Sequence, residues 1–250
     1  AIASQLIQGP DGVWVSRREA SISYPEEGNA NCLALEDNSF WFAHRNRCIE
    51  ALLRRFPPPG AVFDVGGGNG YVAAGLKRAG IPVVMVEPGR QGIQNALARG
   101  LDLLVCSTLE DAGFSPETLP AVGLFDVLEH IREDISFLES IYPLLIPGGR
   151  IYLSVPAIRL LWSADDEYAG HYRRYTIGRI RRALERAGFR MEFASYIFSM
   201  LPLPVFLLRA LPSRLGWRRG DDWNRYRQEH ARISGPAGWL LARWLDWELG

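Results

Sequence analysis

From residue 61 onward, short runs of apolar residues alternate with segments in which apolar residues recur at helical spacing. The predicted strands cover residues 61–65, 82–86, 101–106, 121–125, 150–155 and 190–196. The predicted helices cover residues 71–79, 91–99, 135–145 and 177–187. Strands that are apolar throughout and alternate with helices are typical of a parallel sheet covered on both faces. The pattern therefore predicts a doubly wound α/β core.

The last predicted helix carries signals at both ends. Thr176 precedes it, and a threonine side chain can accept a hydrogen bond from an N–H group of the first helical turn. Gly188 follows it and can adopt the left-handed backbone conformation that often ends a helix. These two residues predict the bounds of that helix more firmly than periodicity alone.

Two segments flank the core. The first 36 residues are polar, contain prolines and glycines, and are expected to form an extended arm. A helical pattern over residues 42–56 follows, and three consecutive prolines end it. After residue 196 the chain is apolar and interrupted by prolines, so no further strand is assigned. The expected organisation is an arm and helix over residues 1–59, a core over residues 60–200 and an extension rich in apolar residues, arginine and tryptophan over residues 201–250.

Composition excludes several classes of protein. Lysine plus arginine and aspartate plus glutamate number 28 each, which argues against nucleic-acid binding. The three cysteines lack CxxC spacing and the four histidines are scattered, so no metal is expected. The N-terminal residues lack the pattern of a signal peptide, and no apolar run is long enough to cross a membrane. A cytoplasmic location is therefore expected.

The main chemical signal is a glycine-rich turn directly after the first core strand, where residues 64–70 read DVGGGNG. Glycines let the backbone turn tightly and let a ligand approach the next helix without a Cβ in the way, so a nucleotide-like cofactor is expected. The dinucleotide fingerprint GxGxxG fails, because Tyr71 occupies the place of its last glycine. A carboxylate such as Asp64 suits an α-ammonium better than a pyrophosphate. Glu87, at the end of the second core strand, can accept hydrogen bonds from both hydroxyls of a ribose.

The spacing DxGxGxG from Asp64 to Gly70 resembles motif I of the class I S-adenosylmethionine-dependent methyltransferases. The resemblance extends from residue 40 to residue 188 and includes LFDVLEHI, which begins at Leu124, and LLIPGGRIYLSVPA, which begins at Leu144. It implies a Rossmann-like, mostly parallel sheet of the seven-stranded type with helical extensions at both ends. It also implies S-adenosylmethionine as cofactor and S-adenosylhomocysteine as product. The cofactor-binding residues that it implies are Asp64, Gly66, Gly68, Asn69, Gly70, Glu87, Pro88, Ser107, Thr108, Leu109 and Phe125.

One position departs from the family pattern. The resemblance implies that Ser107, Thr108 and Leu109 line the adenine pocket, yet the acid that family members usually carry at the first position is replaced by Ser107. Glu110 is near enough in sequence to substitute for it. Residues 39–47 and 161–176 resemble a bacterial group of methyltransferase-domain proteins associated with glycan or lipid-linked sugar metabolism. The implied acceptor is a small molecule or a glycan-linked or lipid-linked compound.

Methyl transfer from a sulfonium requires the protein to hold nucleophile and methyl group in line and to exclude water. A hydroxyl acceptor also profits from a general base, and an unperturbed histidine, with a pKa of about 6.5, is suited to that role. His171 is the first candidate and His130 the second. The candidates for binding the acceptor are Tyr172, Arg173 and Arg174, the arginines through a phosphate or carboxylate.

Less specific interpretations of the same residues stay open. His130 could simply begin the helix after the fourth core strand, and residues 165–175 could form a solvated loop with internal ion pairs. Phe40, Trp41 and Phe42 fit either core contacts of a packed helix or a lid over the cofactor.

Three other functions compete with methyl transfer. An NAD-dependent oxidoreductase or epimerase uses a related fold, but Tyr71 argues against it. A module that binds the cofactor without catalysis would not need the full set of acid and glycine positions. Nucleic-acid methylation usually uses an Asn-Pro-Pro-Tyr type motif after the fourth strand, where this chain has Phe125, Asp126 and Val127. The sequence leaves the oligomeric state open.

The C-terminal third is expected to touch a membrane surface without crossing it. Residues 198–215 are strongly apolar, arginines border them, and prolines interrupt them, which favours an interfacial segment over a spanning helix. The tryptophans that add affinity for such an interface are Trp217, Trp223, Trp239, Trp244 and Trp247. The expected location is then peripheral, at the inner face of the membrane. Alternatively, these side chains cover the end of the sheet or form a dimer interface.

Overall fold

A computed structural model describes residues 2–17, 33, 35–216 and 235–249. Seven strands form one sheet in the order β1-β2-β5-β4-β3-β6-β7. Each neighbouring pair is parallel except β1 and β2, which are antiparallel. The strands are β1 (Leu6–Gln8), β2 (Trp14–Ser16), β3 (Val62–Val65), β4 (Val83–Val86), β5 (Leu104–Cys106), β6 (Leu119–Phe125) and β7 (Leu145–Ser154). The expected mostly parallel, seven-stranded sheet is confirmed.

Helices cover both faces of this sheet. Those of the N-terminal segment and the core are α1 (Phe40–Arg55), α2 (Tyr71–Arg78), α3 (Arg90–Ala98), α4 (Leu109–Ala112), α5 (Asp134–Ile141), α6 (Ala164–Tyr168) and α7 (Ile177–Arg186). The C-terminal ones are α8 (Pro202–Val205), a π-helix (Phe206–Ala210), α9 (Leu211–Arg214) and α10 (Gly235–Trp247). Short 3-10 helices lie at Leu128–His130, Tyr142–Leu144 and Arg159–Leu161. The elements of the core alternate between strand and helix as the sequence pattern predicts.

The buried side chains form two clusters, one on each face of the sheet. Val62 and Phe63, neighbours on β3, belong to different clusters because successive side chains of a strand point to opposite faces. One cluster includes Leu138 of α5 and Leu184 of α7. The other includes Leu53 of α1, and it also takes in α2 and α3. The central strands are therefore covered on both sides, which explains their continuous apolar sequences.

The predicted signals around α7 are correct. The Thr176 hydroxyl accepts a hydrogen bond from the N–H group of Arg179, and Gly188 has a φ of 91° just after the helix. The predicted strand over residues 190–196 is wrong, since this segment has no strand structure. Side chains hold it instead, with the Phe193 ring 5.4 Å from that of Phe56 and Glu192 in an ion pair with Arg150.

The N-terminal arm contains two strands that the sequence does not predict. β2 pairs with β5, and β1 pairs with β2, so the arm extends the sheet on the side of β5. Each of these strands has three residues, which is too short for an alternation of apolar and polar positions to be recognised.

The C-terminal extension is helical where the structure describes it. Within the described ranges, no helix combines the length and hydrophobicity needed to cross a membrane. Trp217 and Trp223 of the expected membrane-contacting set lie outside the described residues. Large apolar side chains are nevertheless exposed on the π-helix, on its flanks and on α10: Leu203, Leu207, Leu208, Leu215, Trp239, Leu240, Trp244 and Trp247.

Candidate active site

A cleft of about 1520 Å³ runs along β7 and extends past the carboxyl ends of the other core strands. Because β3, β4, β5, β6 and β7 are parallel, their carboxyl ends meet on one side of the sheet, where ligands bind in open α/β folds. Residues from the glycine-rich turn, from α1 and from the segment after β7 line the cleft together. The topology thus brings together residues that are far apart in sequence.

The glycine-rich turn connects β3 to α2 and forms the floor of the cleft. Gly66, Gly68 and Gly70 have φ values of 73°, 55° and 75°, in the left-handed region that favours glycine. A Cβ on Gly68 would meet no atom within 4 Å, so this residue faces the open cleft. A Cβ on Gly92 of α3 would come within 2.4 Å of the Gly68 carbonyl oxygen. The turn is therefore open towards the cleft and tightly packed on its other side.

Asp64 is the last but one residue of β3 and is 1% exposed. Its Oδ2 atom is buried and has no hydrogen-bond partner. Burial raises the pKa of Asp64 to about 7, although the Arg45 charge lowers it in part. A buried carboxylate oxygen without a partner is costly, and a cationic ligand in the cleft would satisfy it.

Glu87 follows β4 and contacts the same turn. Its two carboxylate oxygens accept hydrogen bonds from the N–H groups of Gly68, at 2.9 Å, and Gly89, at 2.7 Å. Burial raises the pKa of Glu87, and these two hydrogen bonds oppose that rise. Glu87 is thus fixed beside the glycine-rich turn, and its remaining lone pairs can accept hydrogen bonds from hydroxyl groups. Asp64, the turn over residues 66–70 and Glu87 are together called the cradle below.

The residues expected around the adenine, Ser107, Thr108 and Leu109, line the same cleft. The other predicted cofactor-binding residues Asn69, Pro88 and Phe125 line it too. The Ser107 hydroxyl donates to the Thr108 carbonyl at 2.9 Å, and the Thr108 hydroxyl caps α4. Both hydroxyls are therefore engaged with nearby groups. Glu110 is exposed and does not line the cleft, so the structure gives no support to its substituting for the missing acid.

Arg45 of α1 is a cleft residue that the sequence analysis does not single out. Its guanidinium is largely buried and forms an ion pair of 2.9 Å with Asp126, which also accepts a hydrogen bond from Ser154. Its Nε atom is buried without a partner. Asp126 has a φ of 59°, a conformation that is rare outside glycine and places its side chain in the cleft. In the sequence, the only sign that Arg45 belongs to the site is its position close to Phe40, Trp41 and Phe42.

A second group of polar side chains gathers after the carboxyl ends of β6 and β7. Candidate ligand atoms of Glu129, His130 and His171 lie within 4.8 Å of one another. Such a group could hold a metal ion, whereas the sequence predicts no metal site. Glu129 is 1% exposed, and its Oε2 atom has no partner. Burial and the neighbouring His171 lower the pKa of His130 to about 4, so His130 is neutral at physiological pH. The His130 and His171 rings meet edge to face, 4.8 Å apart.

Asp166 holds His171 in place. The His171 Nδ1 atom lies 2.9 Å from Asp166 Oδ1, and Arg174 donates to both oxygens of the same carboxylate, at 2.8 and 3.0 Å. Asp166 is 1% exposed. Of the predicted catalytic and acceptor-binding residues, His130, His171 and Arg174 line the cleft.

Tyr172 and Arg173, also expected to bind the acceptor, are not among the residues that line the cleft. The Tyr172 ring is 54% exposed, and Arg173 forms an ion pair of 2.8 Å with Asp134. Binding of an acceptor anion by Arg173 would have to compete with this carboxylate. The sequence shows the density of charge in this segment but not which charges neutralise each other.

These features together identify a class of protein. The sheet order, the open glycine turn between β3 and α2, and the acid at the end of β4 define the class I S-adenosylmethionine-dependent methyltransferase fold. A family model described as a methyltransferase domain matches residues 40–192, and the chain belongs to this family. The expected family is therefore confirmed, and the oxidoreductase alternative is set aside.

Curated relatives have a narrower description. Ubiquinone biosynthesis O-methyltransferases from Vibrio cholerae and Aeromonas salmonicida are 32% and 28% identical to this chain over 99 and 117 residues. These matches cover 37% and 43% of this chain, and 40% and 49% of the relatives. The chain thus spans less than half the length of these relatives.

Solved structures share the fold at low identity. A chain from the complex between the Haloferax volcanii Trm112 methyltransferase activator and a methyltransferase gives a TM-score of 0.56 at 22% identity, covering 69% of this chain and 78% of that one. Haemonchus contortus phosphoethanolamine N-methyltransferase 2, in complex with S-adenosylmethionine, gives 0.54 at 20% identity, covering 90% of this chain and 53% of that one.

Proposed function

We propose that the protein transfers a methyl group from S-adenosylmethionine to a hydroxyl of a small, lipid-linked or glycan-linked acceptor, with His171 as general base. The observation that carries this proposal is the arrangement of His171, whose Nδ1 atom is held by the buried Asp166 carboxylate while its ring lines the cleft. The relatives named as O-methyltransferases support an oxygen acceptor.

The residues of the cradle fit the cofactor. Asp64 would hold its α-ammonium, since the buried Oδ2 atom needs a donor, and Glu87 would accept the ribose hydroxyls. Arg45, whose Nε atom also needs a partner, would bind the cofactor's carboxylate. When bound, S-adenosylmethionine supplies an activated methyl group. Trp41 and Phe42 of α1 line the cleft. The expected lid over residues 1–59 is limited to this helix, because β1 and β2 pair into the sheet on the side of β5, and we propose that α1 excludes water.

The polar group beyond the cradle would serve the acceptor. His171 Nε2 would accept the hydroxyl proton, since Nδ1 lies 2.9 Å from Asp166 Oδ1 and would donate its own proton to that carboxylate. Glu129 would hydrogen-bond a second polar group of the acceptor through its unpartnered oxygen. His130, kept neutral by burial, would pack against the His171 ring rather than compete as a base.

We also propose that the protein meets its acceptor at a membrane surface. The exposed apolar side chains of the π-helix and α10 are accompanied by Arg214 and Arg243, whose guanidinium groups lie 5.7 Å from the Phe206 ring and 5.9 Å from the Trp239 ring. Apolar side chains beside arginines suit an interface with anionic headgroups.

The test is mass spectrometry of lipid and small-molecule extracts of cells incubated with the pure protein and deuteromethyl-labelled S-adenosylmethionine. One product carrying the labelled methyl group on oxygen is expected. The His171→Ala variant should form it about 10²-fold more slowly or worse while binding S-adenosylhomocysteine normally. Label on nitrogen or carbon, or no labelled product at all, would contradict the proposed function.

A further inference from the structure

We propose that Asp166 and Arg174 form a positioning pair that fixes His171 as the tautomer with its proton on Nδ1 and leaves the Nε2 lone pair facing the cleft. This inference rests on the proposed role of His171 as general base. It also reassigns Arg174, which the sequence analysis expects to bind an anionic acceptor.

Three residues, His171, Arg174 and Ser163, form hydrogen bonds with the Asp166 carboxylate. Oδ1 lies 2.9 Å from His171 Nδ1 and accepts from Arg174 Nε at 2.8 Å. Oδ2 accepts from Arg174 Nη2 at 3.0 Å and from the backbone N–H of Ser163 at 2.9 Å. An ionised carboxylate only accepts hydrogen bonds, so the His171 nitrogen that faces it has to carry a proton. In a neutral imidazole the other nitrogen then has the free lone pair.

The local sequence builds this geometry. Ser163 and Asp166 form a capping box at the start of α6, which places the Asp166 side chain on the N-terminal turn of the helix. Gly170, with a φ of 73°, reverses the chain after α6. The N–H group of His171 then donates to the Asp166 carbonyl at 2.9 Å, so the same residue holds both the backbone and the ring of His171.

Arg174 supplies the charge that this arrangement needs. The guanidinium of Arg174, itself held by the Ala157 carbonyl at 3.1 Å, binds Asp166 through two nitrogens and neutralises it. The Ser163 N–H group also donates to this carboxylate, so both of its oxygens face donors, an environment that favours the ionised form. Asp166 is therefore held on both oxygens while it orients the His171 ring.

The direct test is the tautomer of His171, read by long-range ¹H–¹⁵N correlation on the ¹⁵N-histidine-labelled protein with S-adenosylhomocysteine bound at pH 8. The His171→Gln variant identifies the signals. A protonated Nδ1 and an unprotonated Nε2 are expected in the wild-type protein. A proton on Nε2 would overturn the proposal, whatever any variant does.

The second readout is kinetic. Asp166→Asn should lower kcat by about 10²–10⁴-fold, as expected when a histidine base is released into the wrong tautomer, with KM for S-adenosylmethionine within about twofold. The matched control is Glu167→Gln, an exposed acid of α6 that does not line the cleft, which should leave kcat and tautomer unchanged. Wild-type kcat in Asp166→Asn would overturn the proposal.

A second variant covers the case in which Asp166→Asn is unstable, and one further outcome separates this inference from the proposed function. If Asp166→Asn does not fold, Arg174→Lys keeps the charge but loses the two-nitrogen contact, and it should retain the tautomer while kcat falls by less than about tenfold. A shift of the proton to Nε2 in Arg174→Lys would contradict the pairing. If the wild-type protein shows the expected tautomer yet methylates no acceptor, the proposed function fails and the positioning pair still stands.

Discussion

The His44 Nε2 atom of α1 lies 3.0 Å from Glu248 Oε2, which joins the helix above the cofactor cradle to the residue after α10. Glu248 also accepts hydrogen bonds from the backbone N–H groups of Phe198 and Ser199. Phe198 in turn stacks on Trp41, with ring centroids 5.6 Å apart and planes 4° from parallel. One carboxylate after α10 thus holds together α1 and residues 198–199, two segments that line the cleft.

Replacing Glu248 by alanine should loosen this wall. Each hydrogen bond to a charged group contributes about 1.5–3 kcal/mol, so we expect a loss of at least that size in the free energy of unfolding. Denaturant titration would measure it. The control is Asp102→Ala, which removes the exposed ion pair with Lys77 and should cost less than about 1 kcal/mol. Equal losses in both variants would mean that the Glu248 contacts are not formed in solution.

Cofactor affinity should depend on pH through Asp64. Because the pKa of Asp64 is about 7 without ligand, the carboxylate that would meet the α-ammonium is present only above this value. Binding of S-adenosylhomocysteine, measured by calorimetry, should therefore tighten about tenfold between pH 6 and pH 8. In Asp64→Asn the affinity should be lower and nearly independent of pH. The idea fails if the wild-type protein binds equally well at both values.

The same raised pKa predicts an effect on stability. A folded-state pKa raised from 3.8 to about 7 gives a contribution that is present below pH 3.8 and is lost as the pH rises through 7. Ionised Asp64 therefore destabilises the ligand-free protein at pH 8. Asp64→Asn should raise the Tm at pH 8 by about 2–4 °C per kcal/mol recovered, and by much less at pH 5. A lower Tm at pH 8 would contradict this.

Replacing two helical glycines by alanine should have different effects: Gly92→Ala should weaken cofactor binding, and Gly178→Ala should stabilise the fold. In Gly92→Ala the new Cβ would lie 2.4 Å from the Gly68 carbonyl oxygen, so the cradle has to move and S-adenosylhomocysteine should bind at least about tenfold more weakly. In Gly178→Ala the Cβ would meet only an Arg182 nitrogen at 3.9 Å. That variant should be about 0.5–1 kcal/mol more stable than wild type, because alanine is the better helix former. Calorimetry and thermal unfolding separate the two, and normal binding by Gly92→Ala would show that the cradle is not under this constraint.

Membrane contact should depend on the exposed leucines of the π-helix. The protein should sediment with anionic liposomes, and less so at high salt, because both burial of apolar side chains and attraction of arginines contribute. Changing both Leu207 and Leu208 to glutamine should weaken binding about tenfold, since on the order of 1–2 kcal/mol of apolar burial is lost. Leu103→Gln, a similarly exposed leucine just before β5, serves as control. If wild-type protein stays in the supernatant at low salt, the apolar surface belongs to another contact, such as a dimer.

The extent to which the sequence predicts this structure follows from the range of the interactions involved. The α7 bounds and the glycine turn are predictable, because Thr176, Gly188 and Gly68 act through the local backbone. The partnership of Arg45 with Asp126 spans residues 81 positions apart, and no local pattern encodes it. Arg174 illustrates the same limit, since its charge is visible in the sequence but its partner is not.

The pairing of β2 with β5 limits how far the N-terminus can be truncated without exposing the edge of β5. Trp14 and Val15 of β2 lie in register with Val105 and Cys106, and they occupy the backbone N–H and C=O groups on that flank of β5. A shortened protein beginning at residue 40, where the family match begins, would leave this flank as a bare edge strand on which another molecule can add a strand. Such a fragment should aggregate even though it contains the whole cradle. The arm thus covers the edge of β5 and prevents strands of other molecules from pairing there. β1, the new edge strand, is only three residues long and offers few backbone groups for such pairing.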